Sequence, residues 1–212
     1  MVDNGRAAGA NVATLPLLLL ISGPPGAGKS TLAQALSERL GLMLISMDQV
    51  KAGIAFTMAS DAGADYRSVA AIGGPAGRRS FPAGDELIEV AVRHGISLCV
   101  EKAWQQRFDV ERFRRFLPKA NVVQVHLTVD KEVAHRRWAR SGRPGMTRGE
   151  QIEAKFATGE FTWADFAPLD LGVPVCVADT TDDAPVDLAR LETFIMAASS
   201  GARPCAEPGP FP

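Results

Sequence analysis

The sequence predicts an α/β fold built on a parallel sheet, and three observations predict it. Apolar runs of strand length alternate along the chain with helical stretches, an order that demands parallel pairing with right-handed crossovers. The first run, Leu17-Leu18-Leu19-Leu20-Ile21, is short enough for one strand buried on both faces. It leads directly into Gly23-Pro24-Pro25-Gly26-Ala27-Gly28-Lys29-Ser30, which fits the P-loop pattern G-x-x-x-x-G-K-[ST] at every fixed position.

From Lys29 the pattern turns helical, with Leu32, Ala35, Leu36 and Leu40 on one face and Gln34, Ser37, Glu38 and Arg39 largely off it. Gly41 is a natural stop. Strand, glycine loop and helix together make a phosphate cradle. Gly23, Gly26 and Gly28 let the backbone turn tightly and aim its N–H groups inward, and the helix N-terminus adds free N–H groups and the positive end of its dipole. In this reading Gly23 through Thr31 bind ATP, Lys29 reaches the β- and γ-phosphates, and Ser30 ligates Mg²⁺. The plainer alternative is a glycine-rich turn before an ordinary helix.

Length suits one domain over residues 15–198, after a loose leader at 1–14 and before a proline-rich tail, expected to be disordered, at 199–212. Hydrophobic residues make up 46% of the 212, enough for a substantial core, and the formal net charge of −1 gives no global case for nucleic acid or an anionic membrane. Basic residues do concentrate between Arg107 and Arg148. Cys99, Cys176 and Cys205 are far apart and odd in number, which points to a reducing compartment and no metal site. Leu15 to Ile21 could pass for a signal-peptide core, but cleavage there would remove the strand the loop depends on. No stretch approaches the ~18 apolar residues of a membrane span. A cytoplasmic monomer or dimer is expected.

The remaining elements follow in order. Leu42 to Ser46 reads as a second strand, with Asp48 just past its end, and Val50 to Met58 as a helix. Gly63 to Gly84 is rich in Gly, Ala, Arg and Pro and reads as a loop-rich excursion. Asp85 to His94 is helical, Ile96 to Val100 is a third strand, and Glu101 lies at its carboxyl end. Asp109 to Leu117 is a basic amphipathic helix, and Asn121 to Val129 a fourth strand. Asp130 to Arg140 is helical, Ser141 to Gly145 interrupts it, and a further helix runs from Thr147 to Ala157. Val173 to Ala178 is the fifth strand and Pro185 to Ala198 the last helix. Ligands of such sheets gather at the carboxyl ends of the strands. That rule places the glycine loop, Asp48, Glu101 and Asp179 on one rim.

At this point the chain resembles the P-loop small-molecule kinases, a group that includes shikimate and gluconate kinases, chloramphenicol phosphotransferase, zeta toxins and the kinase part of polynucleotide kinases. The likeness rests on GPPGAGKST, the Asp48-Gln-Val-Lys51 segment, Glu101, and an arginine-rich lid around Arg136 to Arg143, in the right order over about Leu17 to Ala198. It implies a three-layer sandwich around a five-stranded parallel sheet ordered 2-3-1-4-5, with a lid at about 136–160. It also implies that Asp48 meets the acceptor hydroxyl as general base or orienter, and that a lid arginine stacks on the adenine side.

The residues themselves leave alternatives open. Asp48 would remain ionised near phosphate and Mg²⁺ and accept a proton, or serve only as a helix N-cap. Lys51 would bind an anionic acceptor or face solvent. Glu101 is not a standard Walker B ending; it would hold a Mg²⁺-bound water or contact the acceptor, or else pair with Lys102 or Arg107. Arg136 and Arg140 share a helix face, with Arg137 displaced from them, so the pair could grip charge on the γ-phosphate or form a solvated basic face. Trp104 and Phe108 would wall an acceptor pocket or belong to the core, and His94, His126 and His135 have no ligand spacing. The function expected is ATP- and Mg²⁺-dependent phosphoryl transfer to a hydroxyl of a small molecule, with Lys29, Asp48, Arg136 and Arg140 catalytic and Ser30 and Glu101 on the metal. The alternatives are a polynucleotide or nucleotide-sugar kinase, or a nucleotide-binding switch or ATPase without an acceptor.

Overall fold

β1 (Leu17–Ser22) is buried along its whole length and lies at the centre of a five-stranded sheet ordered β2-β3-β1-β4-β5. The computed structural model describes residues 15–65, 74–140, 149–182 and 185–200. The other strands are β2 (Met43–Ser46), β3 (Leu98–Glu101), β4 (Asn121–Thr128) and β5 (Val175–Asp179), and every pairing is parallel. The strand order is the one the resemblance implies.

Alternation along β1 divides the core into two layers. Leu18 and Leu20 pack with Ile45, Ile88, Val100 and Phe113 on one face of the sheet. Leu17, Leu19 and Ile21 pack with Ala33, Leu36, Leu191 and Ile195 on the other. Each fully buried Leu or Ile contributes roughly 1.5–3 kcal/mol, so this strand anchors both layers. The helices are α1 (Lys29–Leu40), α2 (Met47–Ala62), α3 (Pro75–Arg93), α4 (Gln106–Arg114), α5 (Lys131–Arg140), α6 (Gly149–Ala157) and α7 (Leu188–Ser199), with a 3-10 turn at Trp163–Phe166. Their core residues put α1 and α7 on one face of the sheet and α2, α3 and α4 on the other. Among the described residues no helix is long and apolar enough to cross a membrane.

One expectation is corrected. The stretch read as a loop up to Gly84 is helical from Pro75, and α3 runs through Gly77, Pro82 and Gly84. Pro75 sits in the first turn, where its missing N–H costs nothing. Gly77 and Gly84 are buried, and a β-carbon on Gly84 would lie 2.5 Å from the Met47 side chain. The glycines that read as loop formers therefore give α2 and α3 room to pack together. Helix α2 also starts three residues earlier than expected and runs to Ala62. The leader 1–14, the interruption at 141–145 and the tail from 201 lie outside the described residues, as does 66–73 within the expected excursion.

The carboxyl end of β1 is held by polar contacts beyond the strand ladder. The indole Nε1 of Trp104, itself fully buried, donates to Ile21 O at 3.0 Å, and Lys102 N donates to the same oxygen at 3.3 Å. Trp104 thus belongs to the core, in edge contact with Phe113, whereas Phe108 is 58% exposed. Ser22 Oγ pairs with His126 Nδ1 at 2.8 Å across the β1–β4 register.

Burial, reinforced by the Lys29 charge, pushes His126 down to about 4. A histidine held neutral in the fold but free to protonate when unfolded destabilises the protein in acid. Its effect is nil above the unfolded value near 6.5 and grows as pH falls toward 4. His126→Asn, which keeps a partner for Ser22 without the titration, should lose about 2 kcal/mol less unfolding free energy than the wild type between pH 7 and 5. Urea unfolding at the two pH values checks this, and parallel losses would show that His126 titrates normally.

Candidate active site

The glycine loop closes tightly because two of its positions have no room for a side chain. Gly23 has φ 135°, and a β-carbon there would lie 2.3 Å from Leu127 O of β4. Gly26 has φ 83°, and its β-carbon would lie 2.8 Å from Ala134 O of α5. β4 and α5 therefore press directly on the loop. Lys29, in the first turn of α1, donates from Nζ to Pro24 O at 2.8 Å, so its ammonium is folded back over the loop. Burial lowers its pKa, and the charges of Glu101 and Asp48 oppose that shift.

Glu101 is the last residue of β3 and only 2% exposed. Its Oε1 accepts from Ser30 Oγ at 3.3 Å and from Ser46 Oγ at the end of β2. Burial raises its pKa; the Ser46 bond, the Lys29 charge and the Ser30 bond hold it down, while Asp48 pushes it further up. A buried carboxylate with two hydroxyls and a nearby lysine as partners has chemistry suited to a hard cation, and the adjoining Ser30 hydroxyl adds a second oxygen. It does not pair with Lys102 or Arg107. Lys102 bonds Asp109 at 3.0 Å, and Arg107 bonds Glu160 O and approaches Asp165. A cleft of about 350 Å³ lined by Ser30, Gln34, Leu44, Ser46, Gln49 and Glu101 opens beside this pair.

Asp48 lies in the first turn of α2 but is not its cap, since Ser46 occupies that position and accepts from Gln49 N. The carboxylate is exposed, and its charge acts on Lys29, Lys51, Lys102 and Glu101. The rim acids Asp48 and Glu101 are thus brought together around Lys29. Asp179 is on the same rim but serves a turn, accepting from Thr181 N and Thr181 Oγ1. Lys51 is half-buried and does not simply face solvent. Its pKa is lowered by burial, raised by Asp48 and lowered again by Lys155 of α6.

The arginines of α5 divide differently from the helical-spacing argument. Arg136 and Arg140 are exposed. Arg137 turns toward the loop, donating to Thr180 O at 2.6 Å and to Gly26 O at 3.4 Å. Thr180, just past β5, in turn donates from Oγ1 to Ala27 O at 3.1 Å. Sequence reasoning missed Arg137 and Thr180 as loop partners, and it missed Ser46. Spacing pairs Arg136 with Arg140, but the contact of Ala134 with Gly26 decides which residue one turn on meets the loop. Behind α5, Trp138 stacks with Phe156 of α6 and with Trp163, ring planes 21° and 17° apart, joining the two described arms of the arginine-rich segment. The Cys99 thiol is pushed up to about 12 by burial and is no nucleophile.

Many solved structures share this fold. A candidate kinase from Chloroflexus aurantiacus is 22% identical, with a TM-score of 0.63 over 90% of this chain and 99% of its own. A sugar kinase from Janibacter is 17% identical, with a TM-score of 0.59 over 89% and 99%. A gluconokinase from Sinorhizobium meliloti is also 17% identical, with a TM-score of 0.52 over 89% and 93%. Among curated proteins none matches the sequence. The family model described as an AAA domain matches residues 18–162. That match takes in the glycine loop, the acids Asp48 and Glu101 and the arginine helix together, and it makes this chain a member of the AAA domain family of P-loop proteins.

Proposed function

We propose that the protein transfers the γ-phosphoryl group of ATP, with Mg²⁺, to a hydroxyl group of a small molecule. The observation that carries this reading is the grouping of Asp48 and Glu101 around Lys29 at the mouth of the glycine loop. A loop that only held a nucleotide would have no use for an exposed carboxylate such as Asp48, in the first turn of α2 just past β2. The names of the sugar kinase and the gluconokinase point the same way.

In this mechanism the loop N–H groups and the start of α1 receive the β- and γ-phosphates. Lys29 leaves Pro24 O and donates to the transferring group, where added negative charge offsets the burial that lowers its pKa. Mg²⁺, when bound, would supply positive charge against the negative charge that develops on the phosphates. Ser30 and Glu101 would hold it. Asp48 accepts the proton of the attacking hydroxyl or orients that hydroxyl toward phosphorus. Arg137 fixes the loop against the turn after β5, and Arg136 and Arg140 supply charge to the transferring phosphoryl group.

Lys29→Ala should abolish phosphoryl transfer while the folded state persists, because the strand and the glycines set the loop backbone; unchanged turnover in the folded variant would remove the kinase reading. Asp48→Asn should lower acceptor phosphorylation by roughly 10²–10⁴ with ATP affinity nearly unchanged. ADP release against a panel of hydroxylated metabolites, with acceptor-free controls, measures both and separates transfer from simple hydrolysis. Of the arginines, Arg137→Ala should weaken ATP binding and lower thermal stability. Arg136→Ala and Arg140→Ala should instead lower kcat by roughly 10²–10³. Calorimetric ATP titration beside steady-state rates tells the two classes apart, and a kcat loss confined to Arg137→Ala would reverse the assignment.

A further inference from the structure

Ser46 lies between the two halves of the site, and no role above uses it. It ends β2 in register with Glu101 of β3, and it is buried at 6% exposure. Its hydroxyl donates to Glu101 Oε1, while its oxygen caps α2 by accepting from Gln49 N at 3.5 Å. Ser30 Oγ donates to the same Oε1 at 3.3 Å. A serine hydroxyl has one proton and two lone pairs, so Ser30 can keep its proton on Glu101 while its oxygen faces a cation. Oε1 is therefore taken by two hydroxyls. Oε2 of Glu101 has no hydrogen-bond partner among the described residues, and Glu101 lines the cleft beside Ser30.

We infer that Ser46 is a positioning residue for the metal: by fixing Oε1 it presents Oε2 of Glu101 to the water shell of a divalent cation held at Ser30. The role rests on the proposed reading that Glu101 serves the metal. Through the same oxygen Ser46 joins that carboxylate to the start of α2, the helix that carries Asp48 and Lys51. Alanine would leave Oε1 with the Ser30 hydroxyl alone, and the carboxylate could rotate away. Partners that orient metal-binding groups from behind typically cost 10–100-fold in metal affinity when removed. A residue that served only as a helix cap would change stability and leave metal affinity alone.

The test uses binding of N-methylanthraniloyl-ATP to the full chain, followed by fluorescence, first in chelator and then across a Mg²⁺ titration. Ser46→Ala should raise the half-saturating Mg²⁺ concentration about tenfold, with Mg²⁺-free nucleotide affinity unchanged. Ser46→Thr, which restores a hydroxyl, should return it toward the wild-type value. Glu101→Gln should raise the requirement as well, and adding Ser46→Ala to it should cause no further shift, since Ser46 acts through that carboxylate. A Ser46→Ala protein with lower melting temperature but wild-type Mg²⁺ requirement would reduce Ser46 to a helix cap. An equal shift in the Glu101→Gln background would place its action elsewhere. Mg²⁺ dependence intact in the wild type and unaltered in Ser46→Ala removes this role alone. A wild type whose nucleotide binding ignores Mg²⁺ removes the metal reading and the role with it.

Discussion

The carboxyl end of β1 is the point on which the rest of the site depends. Within three residues the chain must leave a strand buried along its whole length, pass β4 with no space for a β-carbon at Gly23, and enter a loop. Ile21 O is fixed by Lys102 N and the Trp104 indole, and Ser22 is fixed by His126. Since β3 and β4 flank β1 directly, the same contacts that hold the turn also set the positions of Glu101 and of α5. The loop, the rim carboxylate and the arginine helix are three readouts of one strand end. An error of an ångström there would be passed to all of them.

The charges gathered at that point are costly in the protein alone. Lys29 has its pKa lowered and Glu101 has its pKa raised, each chiefly because burial disfavours the charged form. Each also softens the other's shift through opposite charge. Incomplete mutual compensation is what a site for anionic phosphate and a hard cation requires. In the proposed reading, phosphate would favour the charged lysine and a cation the charged carboxylate, so binding both would relieve the two groups at once. A carboxylate and lysine in direct contact would satisfy each other and weaken both affinities. The structure avoids this by giving Lys29 a backbone carbonyl and Glu101 two hydroxyls.

Much of the fold was legible because it is written in local periodicity. Five apolar runs, the glycine loop and the alternation with helices carry the parallel sheet, and the strand-end rule alone grouped Asp48 and Glu101 with the loop. What escaped was decided between elements. Gly77, Pro82 and Gly84 argue for a loop by propensity, yet α3 forms because α2 packs against its glycine face. Arg137 looked like the odd member of an arginine run, but the seat of Ala134 against Gly26 sets the phase of α5 and turns Arg137 inward. Ser46 reads as an ordinary strand-end serine until the β2–β3 register sets it beside Glu101. Trp104 shows the same limit: no periodicity tells that its N–H meets a β1 carbonyl 83 residues away.

A division of labour follows from where these groups are mounted. Lys29, Ser30 and Glu101 stand on or next to the central strands, so the side of the site at the glycine loop has little freedom. Asp48 and Lys51 ride on α2, whose partner surface is α3 with Lys51 lying over Gly77, and Lys155 belongs to α6. In the proposed reading, selection of an acceptor would therefore fall to helices whose relative packing depends on a few small residues, while the chemistry of transfer would be held by the sheet. Changes at Gly77, Lys51 or Lys155 would reshape that helical side without moving the loop. Ser46 is where the two sides meet, because one hydroxyl both caps α2 and holds the carboxylate beside the glycine loop.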